Sequence, residues 1–224
     1  MLALGLAALV AITNAQTDAS QRPPPAVKMR SPERLPSLVS AETLGAGGSA
    51  LFATAGFPIL GAAWAQGLTP TVDGGAALEL DMALSELFAG PTVRVGLSRR
   101  GATSVAFTGR AGYYADLGAD WVVSRNRAND GFQLSPGVAA STRTRAGGLV
   151  TGAFELPVTA TIRHGGAIVA PRVFASYEAP LYGDISFGAR AGASVRAASG
   201  GAPLADRDAR FAVSLGAILT YRLF

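Results

Sequence analysis

Residues 210–224 read RFAVSLGAILTYRLF. Phe211, Val213, Leu215, Ala217, Leu219, Tyr221 and Leu223 fall on odd positions, with Ala212, Ser214, Gly216, Ile218, Thr220 and Arg222 between them. Side chains that repeat every second residue, apolar on one side and small or polar on the other, define a strand rather than a helix. The alternation outlasts the usual strand of a soluble domain and covers the roughly 9–11 residues that a tilted strand needs to cross a bilayer. The stretch predicts the closing strand of a transmembrane β-barrel, against which the preceding strands pair.

Composition agrees. The chain has 224 residues, 49% hydrophobic, with 28 Gly and only 15% charged residues. Its apolar residues stand singly between small or polar ones, the pattern of an apolar face toward lipid and a polar face toward a lumen. There is no cysteine, which excludes disulfides, thiolate chemistry and cysteine-based metal sites. The formal charge is +4, and nearly all basic residues are arginines scattered singly, Lys28 being the only lysine. Nucleic-acid binding would call for clustered bases with interleaved aromatics, so no nucleic-acid partner is expected, and no cofactor or metal.

Along the chain, Met1–Ile12 is an apolar run followed by Thr13-Asn14-Ala15, the form of a signal peptide over residues 1–15, although no Lys or Arg precedes the run. Residues 16–42 hold Pro23-Pro24-Pro25, Pro32 and Pro36 among mixed charges, which predicts an extended linker with neither helix nor ladder. Residues 43–224 form the barrel. Between Thr43 and Val72 no residue is charged, and a single transmembrane helix is the rival reading there. Six glycines and Pro58 favour two strands meeting at Gly56-Phe57-Pro58 instead.

Turn-forming clusters divide the remainder into candidate strands near 47–55, 59–67, 75–85, 91–98, 103–114, 131–141, 148–161, 167–179, 184–196 and 210–223. The expected fold is therefore all-β, an antiparallel up-and-down barrel of about ten strands, with eight as the alternative if the first hairpin lies outside the wall. An even count returns the chain to its starting side. Connections near 68–74, 99–102, 142–147 and 180–183 are short and belong to one end, while the long ones, 115–130 and 197–209, belong to the other.

Alternation also assigns faces. Ala76, Leu78, Leu80, Met82 and Leu84 share one face of the third strand, and Glu79 and Asp81 the other; similar oppositions set Arg94, Arg110, Glu155, Arg172, Glu178, Arg190, Arg196 and Arg222 away from the lipid side. Glu79, Asp81, Arg94, Arg110, Glu155, Arg172, Glu178, Arg190 and Arg222 are thus the expected lumen charge network. A charge on the lipid face near the midplane would cost about 2–4 kcal/mol, and arginine's planar fork suits bidentate pairing with carboxylates in a confined interior. Two roles fit such a network: salt bridges that fill and rigidify a small barrel, or the selectivity lining of a narrow channel. Eight strands are just filled by side chains, and ten leave little more room.

The signal-like start, the alternating strands and the final T-Y-R-L-F resemble small bacterial outer-membrane β-barrel proteins. The runs TLGAGG at 43–48, GFP at 56–58 and GLTPTVDG from Gly67 are similar to the opening of barrels from high-GC proteobacteria. The resemblance implies location in the cell outer membrane, among its lipid and lipopolysaccharide. It also implies recognition of a terminal aromatic signal by the barrel-assembly machinery, here Tyr221 and Phe224. Tyr221 stands one place further from Phe224 than the family pattern has it. It carries no catalytic motif. His164, the one histidine, lies in the turn Arg163-His164-Gly165-Gly166 and is the residue on which an envelope-lipid hydrolase would have to rely. The expected role is structural or surface-recognition, with a channel for small hydrophilic solutes as the alternative.

Overall fold

The structure, a computed structural model, describes residues 37–117, 130–163, 165–200 and 211–224; the signal-like run, the proline cluster, His164, Trp121 and the acidic residues at 206 and 208 lie outside them. The described residues contain strands, turns and bends and no helix. Thirteen ladder segments form one sheet. Three pairs of segments continue each other in unbroken register, so the wall has ten strands. The first six are Ser49–Phe57, Ile59–Gly67, Val72–Asp81, Glu86–Arg100, Thr103–Asp116 and Gly131–Arg143. The seventh joins Leu149–Glu155 to Val158–Thr161, the eighth Ala167–Val169 to Arg172–Tyr182 and the ninth Ile185–Val195 to Ala197–Ser199; the tenth is Phe211–Arg222.

Every neighbouring pair is antiparallel, and the tenth strand closes the wall on the first, from Ala50↔Arg222 to Phe57↔Leu215. The first hairpin is therefore part of the wall, which excludes both the eight-strand count and the helix over 43–72. The interruptions have a simple cause. Pro157 and Pro171 cannot donate to the ladder, yet their carbonyls still accept from Ala170 N at 2.9 Å and Val195 N at 3.0 Å, so hydrogen bonds are lost without a slip in register.

The outward face carries Leu51, Trp64, Leu78, Phe107, Val138, Phe154, Val173, Phe187, Leu215 and Leu219, all substantially exposed. The inward face of the same strands carries the charged residues, together with buried Ser and Thr. Greasy outside and charged within is the inverse of a soluble barrel and the architecture of a transmembrane one.

The third hairpin differs from expectation. Its turn is Met82–Ser85, and the fourth strand begins at Glu86, not near Pro91. Met82 and Leu84 accordingly leave the lipid face assigned to them. The Asp81 carboxylate accepts from Ala83 N and Leu84 N, both at 3.0 Å, and Ser85 takes a positive φ of 55°. An acidic side chain capping its own turn does here what the composition of Gly90-Pro91 suits that pair to do. Gly90 instead serves a close strand approach: a Cβ there would lie 2.1 Å from the Ala111 carbonyl oxygen, and one on Gly112 would lie 2.2 Å from that of Ala89.

Candidate functional site

The centre of the lumen holds a closed ring of four charges. Glu79 enters from the third strand, Arg110 from the fifth, Glu155 from the seventh and Arg172 from the eighth. Arg110 reaches Glu79 at 2.9 Å and Glu155 at 3.5 Å; Arg172 reaches Glu79 at 2.8 Å and, through Nε, Glu155 at 2.7 Å. The third and eighth strands face each other across a ten-strand wall, so the Arg172–Glu79 pair crosses the full lumen. Arg190, from the ninth strand, lies beside the ring with its guanidinium 3.8 Å from the centre of the Phe174 ring. Arg110 makes a similar contact with Phe88 at 4.9 Å. Each ring arginine shares two carboxylates and each carboxylate two arginines, which repays desolvation better than an isolated pair would.

The ring and Arg190 together form a belt across the lumen, and two small cavities flank it. One, about 120 Å³, reaches from Glu79, Arg172, Phe174 and Arg190 to Leu38 and Val39. The other, about 110 Å³, shares those four residues and extends to Asp81, Glu86, Tyr114 and Arg196. The belt is thus the partition between them. Beyond the second cavity, Arg196 donates to Glu86 at 2.6 Å and also to the Tyr114 hydroxyl.

The end of the barrel that carries the short turns is filled by the chain itself. Ser37, Ser40, Ala41 and Glu42 are all buried inside the wall. Arg94 Nη1 donates to the Ser37 carbonyl at 2.7 Å and the Ser40 carbonyl at 2.9 Å, while its other nitrogens hold Asp73. Asp73 accepts in turn from Leu44 N at 3.1 Å. Ser141 Oγ accepts from Ala41 N at 2.7 Å, Ser37 Oγ donates to Glu178, and Arg143 grips Glu42 through two nitrogens. Composition grouped these residues with the linker of 16–42; in the structure, the residues from Ser37 onward are a buried plug.

The expected network therefore resolves into separate groups. Glu79, Arg110, Glu155, Arg172 and Arg190 come together in the belt. Arg94 and Glu178 hold the plug. Asp81 caps a turn and lines the second cavity, and Arg222 sits at the rim, where its Nε donates to the Phe224 carbonyl at 3.2 Å. Tyr221 and Phe224 are exposed on the outside of the same end. Sequence reasoning missed Asp73, Glu86 and Tyr114 as lumen residues. Asp73 shares parity with Glu79 and Glu86 with Arg94, so strands begun a few residues earlier would have found them; Tyr114 already lay in the expected strand 103–114 at the parity of Arg110, and was passed over because it carries no charge. Arg143, two residues past the expected end of its strand, shares the parity of Ser141; Glu42 carried no such signal.

No family model matches the sequence, and no curated protein does. Among solved structures the chain is similar to OmpTdeltaL8, a loop L8 deletion mutant of the outer membrane protein OmpT of Vibrio cholerae. That match has 9% identity, covers 78% of this chain and 97% of that one, and has a TM-score of 0.34. It is also similar to CarO of Acinetobacter baumannii, at 10% identity over 80% of this chain and 98% of that one, with a TM-score of 0.26.

Proposed function

We propose that this chain is an outer-membrane barrel held shut, a structural or surface-recognition protein rather than an open pore. The observation that carries this reading is the Glu79–Arg110–Glu155–Arg172 ring, which spans the lumen and is backed by the plug at residues 37–44. An ion passing through would have to break shared, partly buried ion pairs. Recognition would then fall to the long connections at the opposite end, with outer-membrane lipid and lipopolysaccharide around the wall. Tyr221 and Phe224, exposed at the strand end, are free to act as the signal read by the barrel-assembly machinery. No catalytic role is assigned, and His164→Ala is expected to have no effect on the turnover of envelope lipids.

Planar bilayers test the reading: purified protein should give no steady conductance steps, and steps from the wild-type chain would overturn it. The cavities on both sides of the belt favour one second reading, a narrow channel for small hydrophilic solutes that opens once the plug leaves. In that case removing residues 37–42 should produce steps whose ion selectivity changes with Glu79→Gln.

A further inference from the structure

Four of the five belt charges cancel around the ring, and Arg190 does not take part. Among the described residues no carboxylate lies within 4.0 Å of its guanidinium, and none of its nitrogens donates to a protein acceptor. Its Nε is enclosed and has no partner. Arg110 Nε, which borders the plug-side cavity with Arg190, is enclosed and has no partner either. Burying a cation with open donors is costly, and the Phe174 face at 3.8 Å offsets only part of that cost. The belt holds three arginines against two glutamates, leaving one uncancelled positive charge beside a cavity.

We propose that Arg190 anchors a small monocarboxylate in the cavity between the belt and the plug. A single excess charge matches a monoanion. A dianion such as phosphate would overcompensate beside Glu79 and Glu155. A carboxylate is planar and fits a guanidinium through two parallel hydrogen bonds. The same cavity is also lined by the apolar side chains of Leu38, Val39 and Phe52, which suit a short hydrocarbon tail. A cavity of about 120 Å³ is close to the size that holds a benzene ring, so the guest has about six non-hydrogen atoms. Butyrate meets all three conditions. The site stands whether or not the barrel conducts.

The test uses the full chain folded in detergent, titrated with carboxyl-labelled butyrate and followed by carbon-13 line broadening. The wild type should bind butyrate saturably. Butylamine, of the same length but opposite charge, should not bind, and inorganic phosphate should compete at least tenfold more weakly. Arg190→Gln should weaken butyrate binding at least tenfold. Leu38→Trp, which fills the tail end of the cavity and leaves Arg190 in place, should do the same and decides the matter if Arg190→Gln fails to fold. A wild type that ignores butyrate, phosphate competing equally, or unchanged binding in either folded variant would each overturn the proposal.

Discussion

Arg94 is the hinge pin of the plug, and its replacement gives the sharpest test of the structure. Its guanidinium makes two charge-assisted bonds to plug carbonyls, at 2.7 and 2.9 Å. Such bonds are worth about 1.5–3 kcal/mol each, together about 3–6 kcal/mol of the plug's hold. Arg94→Gln alone would strand the Asp73 carboxylate in the lumen, a penalty on the barrel itself, so the informative variant is Arg94→Gln with Asp73→Asn. The chain lacks cysteine, and Ser40 is fully buried in the plug, so Ser40→Cys places a single reporter thiol where only plug release exposes it. Labelling by a water-soluble maleimide should be slow in the Ser40→Cys background. It should accelerate by about two to four orders of magnitude when the Arg94 and Asp73 changes are added, at about 1.4 kcal/mol per decade. Equal labelling rates in two barrels that both shift gel mobility on boiling, as folded barrels do, would refute the role assigned to Arg94.

Three further outcomes follow from the wall and the belt. Glu79→Ala removes the carboxylate shared by Arg110 and Arg172 and should destabilise the barrel by about 3–5 kcal/mol, seen as a lower temperature at which the compact gel form disappears. Gly90→Val should yield no folded barrel because its Cβ meets the Ala111 carbonyl at 2.1 Å, whereas Gly152→Ala, with nothing within 4 Å, should fold normally. Leu78→Arg, on the exposed lipid face, should cost about 2–4 kcal/mol in urea unfolding from lipid, while Ala77→Ser, one residue away and facing inward, should be tolerated.

The wall was legible because alternation is a local property that the environment enforces: each strand must show hydrocarbon at every second residue, as Phe211 to Tyr221 do. Boundaries were less so. Gly90 and Pro91 look like turn residues, but Gly90 answers a close backbone approach from the next strand, and Pro91 pairs with Ala76 in unbroken register. The true turn depends on the Asp81 side chain, a capping contact that composition does not announce. Moving that one boundary hid Glu86, the carboxylate that Arg196, already turned inward by parity, pairs with. The belt could be assigned to the lumen by parity. Which arginine meets which glutamate could not, since the pairs join strands up to five places apart around the wall.

The plug escaped for a different reason. Side chains long enough to meet across the lumen, Arg172 and Glu79 foremost, close the middle of a ten-strand barrel. Nearer the short turns the wall supplies mainly Ser and Thr, such as Ser141, Thr151 and Thr220, which are too short to meet across it. The remaining space is filled by main chain. Ser37 and Ser40 contribute carbonyls to Arg94, and Ala41 and Leu44 contribute N–H groups to Ser141 and Asp73. Backbone groups are the same in every residue, so a segment that binds through them needs no periodic pattern and reads as solvated linker. Its few side-chain contacts to the wall, Glu42 on Arg143, Ser37 on Glu178 and Thr43 on the Pro70 carbonyl, fix its register, and Glu42→Gln should loosen the plug by less than the Arg94 change because Arg143 is the more exposed of its pair.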